Sequence, residues 1–134
     1  MTFEVVEHNG LRYAEILYKD TTNESTKFYS EANAALQLGL MSHPSGFVET
    51  PHSHPEVVRE STPTQQAFIV ISGKVIVDFF DDLGNIIREI YLSQSDAILI
   101  IQGIHRIRVI ESSRCFTIKQ GPFVASLDKI ESIF

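Results

Sequence analysis

Apolar and polar residues alternate in short runs along most of the chain, and the period is two. Residues 11–18, LRYAEILY, form a first strand rich in aromatic and branched side chains. The polar stretch 19–27 reads as a loop. In residues 33–42, Ala34, Leu36, Leu38 and Leu40 fall on alternate positions, which predicts a half-buried strand ended by the HPSG turn at 43–46. Residues 47–54 resume an extended run, and 55–64 form the longest loop.

Strands follow at 65–72, 75–80, 86–91, 97–101, 104–110 and 115–119. Turns are expected at Gly73-Lys74, 81–85, 93–96, Gln102-Gly103 and 111–114. About nine short strands at this spacing define an all-β sandwich or barrel. The tail 127–134 is either one helical turn or a segment along the surface. With 134 residues, no repeat and no linker, the chain is expected to form a single domain, 1–134, with a core of its own.

Composition narrows the function. Hydrophobic residues make up 43% and charged residues 21%, which is ordinary for a globular chain. The net charge of -6 and 11 scattered lysines and arginines argue against a nucleic-acid partner, which needs a basic face. Neither a signal-like block at the start nor an apolar run of about 20 residues is present, so a cytoplasmic protein without a membrane partner is expected. The single cysteine, Cys115, lies in an apolar run and is expected to be a buried, inert thiol.

Candidate chemistry gathers on histidine. His52 and His54 are two apart in an extended segment, so their rings leave one face of the strand. Prolines 51 and 55 stiffen that backbone. Side by side, two neutral imidazoles offer converging nitrogen donors to a metal. Gln66 opens the next strand and His105 a later one, and in a rolled sheet such strand starts converge. Phe68 and Val70 share parity with Gln66 and are candidates for an apolar pocket wall. Arg106 and Arg108 have the opposite parity to His105 and should lie on the outer surface. His8 and His43, beside turns, should be exposed, and Glu56 and Glu60 should be solvated loop charges.

The segments PHSHP (51–55), QAFIVISGKVIVDFFDDLGN (66–85) and LSQSDAILIIQGIHRIRV (92–109) together resemble the cupin superfamily. The resemblance covers residues 34–122. FDDLGN (80–85) and IKQGPF (118–123) are most similar to small bacterial WbuC-like cupins found with cell-surface polysaccharide biosynthesis. More distantly, the chain resembles the RmlC-like ketoisomerases and epimerases of nucleotide-linked deoxysugars.

The resemblance implies a cupin β-barrel (a double-stranded β-helix, or jelly roll), usually a homodimer, with a divalent metal such as iron, manganese, nickel or zinc. The exposed edge at 11–18 is where pairing of two copies is expected. His52, His54 and His105 match the histidine ligands. Gln66 stands where the family has a glutamate, and a neutral carbonyl oxygen is the poorer donor to a cation. The second motif lacks its usual proline, and Gly103 is one residue nearer the histidine.

Three histidines suffice for a metal, as in carbonic anhydrase sites. For each histidine the alternative is a hydrogen-bonded pocket residue, and Gln66 suits either role. Three functions use such a pocket: a metal-dependent enzyme on a small carbohydrate-like or carbonyl substrate, a metal-free sugar isomerase or epimerase with His52 or His54 as base, and a non-catalytic sugar-binding module. The second lacks a basic cluster near the histidines, Arg59 being the sole basic residue close in sequence. The loop 55–64 is long enough for a lid, although most such loops only connect strands.

Overall fold

The computed structural model describes residues 2–60 and 63–134. Within them lie eight strands: β1 (Phe3–His8), β2 (Leu11–Leu17), β3 (Ser25–Phe28), β4 (Gly39–Ser42), β5 (Gln66–Phe80), β6 (Ile86–Ser93), β7 (Ala97–Ile100) and β8 (Ile104–Lys119), then one helical turn, α1 (Ala125–Asp128). Six strands form a curled antiparallel half-barrel in the order β1-β2-β7-β5-β6, with β8 on the opposite edge of β5. β3 and β4 form a separate two-stranded sheet. The all-β expectation holds.

β5 is the spine. Its first residues, Gln66–Ile69, pair with β7, its last, Lys74–Phe80, with β6, and β8 follows it along both parts. From Val75 to Phe80 both faces are buried, as the run VIVDFF requires. Val75, Val77 and Phe79 join Val6, Ala14, Ile16, Ile90, Leu92, Ile98 and Ile100 in the core. Burying each large side chain there stabilises the fold by roughly 1.5–3 kcal/mol.

Several sequence expectations are corrected. Gly73-Lys74 makes no hairpin, and residues 111–114 make none either, because β5 and β8 run through both places as an antiparallel pair. Register shifts between Val70 and Val75 absorb the glycine and the polar residues opposite it. In 33–42 the partial burial at Ala34, Leu36, Leu38 and Leu40 alternates as read, yet only Gly39–Ser42 pairs. Gln37 instead donates to the carbonyls of Glu31 and Ala34 and holds a turn. Residues 47–54 form no strand, and β3 occupies part of the expected loop 19–27.

A further correction concerns the edge. β1 was not expected; it folds onto β2 through Asn9-Gly10, whose φ values of 51° and 75° suit the primed turn of a tight hairpin. β2 therefore has β1 on one side and β7 on the other, and offers no edge for a second copy. In the larger sheet, free edges belong to β1, β6 and β8, each of which has one strand partner among the described residues, β8 pairing with β5.

Total exposed surface is 9567 Å². A compact monomer of 15.1 kDa exposes about 7,100 Å². The excess of about a third follows from residues 44–60, exposed throughout, and from the open face of β8, where Val109, Ile110, Phe116 and Ile118 are all more than half exposed. No helix of the described residues is long and apolar enough to cross a membrane.

Candidate functional site

His105 is the second residue of β8 and sits opposite Phe79 of β5. The two rings are 6.4 Å apart at 40°, so the imidazole rests beside a fully buried aromatic. Its Nδ1 lies 2.9 Å from the carbonyl oxygen of Gly103. A carbonyl oxygen only accepts, so Nδ1 is the protonated nitrogen and, in the neutral ring, Nε2 keeps its lone pair.

Gln66 opens β5, flanked by Ile100 on β7 and Lys119 on β8. Its amide lies 2.9 Å, through Nε2, from the Thr117 hydroxyl, a group that can pair with either end of the amide. Gln66 and His105 line one cleft of about 930 Å³, with Phe68, Ile107 and Lys119 in its wall and residues of the C-terminal tail across it. Phe68 thus takes the expected place. Val70, at 1% exposure, belongs to the core instead.

His52 and His54 stand on the exposed segment 47–54. Their rings are perpendicular, 5.2 Å between centroids, so the two-residue spacing does bring them side by side. His52 repeats the arrangement of His105: its Nδ1 is 2.9 Å from the Thr50 carbonyl oxygen and 3.1 Å from Glu49 Oε1. Two acceptors at Nδ1 again direct the lone pair to Nε2.

The sequence-selected residues therefore form two pairs: Gln66 with His105 in the cleft, and His52 with His54 on the loop. Among the described residues no group of three or more His, Cys, Asp or Glu side chains is placed to hold a metal ion.

Other expectations resolve individually. Arg106 and Arg108 do lie on the face away from His105, but both bind the fully buried Asp78. His8 and His43 are half-buried rather than exposed, because His8 packs edge-on to Tyr13 and His43 stacks on Phe47 at 3.8 Å. Glu56 and Glu60 are exposed, as expected; Ser61 and Thr62 of the suspected lid lie outside the described residues. Lys119 was missed. Its ammonium is 2.7 Å from Asp128 Oδ1 and near the Phe123 ring, and it places a cation beside Gln66. Only its pairing opposite Gln66 reveals it, and that register is not legible in one strand alone.

Cys115 is half-buried against the core, and burial pushes its thiol pKa up. It is expected to alkylate slowly at neutral pH and much faster in denaturant, as followed by mass spectrometry after iodoacetamide treatment. Comparison of the chain with known protein families, with curated proteins and with solved structures gives no match.

Proposed function

We propose that this chain is a small cupin whose histidines bind a divalent transition metal, and that it is a metal-dependent enzyme acting on a small carbohydrate-like or carbonyl substrate. The observation that carries the reading is the contact each histidine makes through Nδ1. His52 and His105 each commit Nδ1 to a backbone carbonyl and so present Nε2, the arrangement that orients a metal-ligating imidazole. The donor chemistry fits iron, manganese, nickel or zinc, with Gln66 Oε1 available as a neutral fourth donor.

The free edge of β8 supports the reading as well. It includes His105, while the segment bearing His52 and His54 has no strand partner and carries the Val-Glu-Thr-Pro-His-Ser-His run of an extended chain. Pairing of 47–54 along that edge would satisfy its backbone groups, remove part of the excess surface and bring the histidine pair to the cleft. The bound metal would supply Lewis-acid polarisation of a substrate oxygen. The chain's own part is to orient the imidazoles through Gly103 and Thr50, and to place Phe68 and Ile107 as apolar walls that limit water.

The test is elemental analysis of tag-free protein after reconstitution with iron, manganese, nickel and zinc in turn. Close to one metal per chain is expected, falling at least tenfold in the His52→Ala/His54→Ala double variant and in His105→Ala. Absence of bound metal under all four conditions would overturn the metal reading and move attention to a histidine base or to plain sugar binding.

A further inference from the structure

The cleft of Gln66 and His105 has walls of two kinds. The part outside the tail carries two cations, Arg106 and Lys119, and no carboxylate. The tail supplies the carboxylates that line the cleft, Asp128 and Glu131, with Lys129 between them. Arg106 is engaged by the buried Asp78 at 2.8 Å. The ammonium of Lys119 turns to the tail instead. It binds both carboxylate oxygens of Asp128, at 2.7 and 2.9 Å, and lies 5.7 Å from the centre of the Phe123 ring.

The tail is lightly held. α1 buries none of its residues, and Leu127 and Ile130 are 78% and 93% exposed. Its second hold is Phe134, whose ring lies 5.5 Å from that of Phe80 and packs over Gly84. A segment that buries so little apolar surface gains little by staying in place, and a half-exposed ion pair adds little more.

We propose that residues 123–134 are an autoinhibitory strap, in which Asp128 occupies Lys119 in place of a ligand's carboxylate. A small carboxylate entering the cleft takes Asp128's position and frees the strap. The inference rests on this cleft being the functional one, and it names the charged group that the ligand carries. It does not require a bound metal. A neutral ligand offers Lys119 nothing better than Asp128, so the latch stays shut. A cation is repelled by Lys119 and Arg106. A phosphate dianion asks for more donors than one ammonium provides, whereas a carboxylate matches it in charge. Release of the strap also removes Glu131, so the opened cleft is lined by cations without a competing acid.

The experiment is titration of full-length, metal-free, ¹⁵N-labelled protein with pyruvate at constant ionic strength, followed by amide shifts and by exchange of the amides of 125–134. Acetone and inorganic phosphate are the comparisons. Pyruvate is expected to shift Gln66 and Lys119 saturably and to speed exchange along the strap. Asp128→Asn should bind pyruvate at least tenfold more tightly, because the competent form no longer competes with a latched one. Phe134→Ala, which removes a hold but no charge, should tighten binding in the same direction. Lys119→Met should abolish binding while the spectrum stays dispersed. The proposal is overturned by equal affinity in the natural chain and Asp128→Asn, by unchanged affinity in Phe134→Ala, by strap exchange that pyruvate leaves unaltered, by binding that survives Lys119→Met, or by acetone or phosphate binding as tightly as pyruvate. Metal is absent throughout, so this outcome and the metal count of the histidine variants can fail independently.

Discussion

Replacing Asp78 with alanine is expected to destabilise the protein by about 2 kcal/mol, read as a lower urea midpoint with an unchanged slope. Asp78 is fully buried on the outer face of β5, where its neighbours Ile76 and Phe80 are apolar. Two arginines of β8 neutralise it: Arg108 binds both carboxylate oxygens, at 2.6 and 2.8 Å, and Arg106 adds a third bond at 2.8 Å. The arginine side chains are 38% and 54% exposed and regain water when the carboxylate goes. That exposure is why the expected loss is smaller than the roughly 3–5 kcal/mol of a fully buried pair.

The same group sets a pH dependence. Hydrogen bonding to Arg108, then to Arg106, holds the carboxyl of Asp78 below its usual value of 3.8, against the opposing effect of burial. A carboxyl with a depressed folded pKa contributes stability that is fully present above the unfolded value and is lost as pH falls through the folded one. Urea midpoints measured from neutral pH down through the carboxylate range should therefore fall more steeply for the natural protein than for Asp78→Asn. Equal slopes would show that the arginines do not select the charged form.

Asp78 also shows how far the sequence could be read. Strand parity put Arg106 and Arg108 on the outer face, correctly, because parity is a property of one strand. Their partner is a matter of register between two strands: Asp78 lies opposite Arg106 and one diagonal step from Arg108. Nothing in either strand alone encodes that alignment. The same limit hid Lys119 opposite Gln66 and β1 beside β2. The alternation that signals a half-buried strand was legible from Ala34 to Leu40 and is seen in the burial, but backbone pairing begins only at Gly39. At the candidate site, the closeness of His52 to His54 followed from two-residue spacing, and their rings are indeed adjacent. The joining of that pair to His105 depends on where an unpaired segment docks, which spacing does not determine.

Gly73→Ala is expected to be as damaging as the loss of Asp78 or worse, at about 3 kcal/mol, and for a reason that is purely geometric. Gly73 has φ +84°, a left-handed backbone that costs an alanine about 1 kcal/mol or more by itself. A Cβ there would also collide with the Ser112 carbonyl oxygen and lie 2.8 Å from Ser113 Cα, both on the facing strand. Backbone cannot swing aside as a side-chain tip does, so β5 and β8 would have to separate at their middle. The two ends of that pair carry Gln66 with Thr117 and Lys119 on one side of the irregularity, and Phe79 with His105 on the other. Separation at Gly73 should therefore change the relative placement of Gln66 and His105 as well as the stability. The check is a urea melt combined with hydrogen exchange of the β5 and β8 amides. Lower stability with early exchange at Val70–Val75 and Ser112–Cys115 is expected, and natural stability in Gly73→Ala would mean that the strands do turn at this glycine instead of running through it.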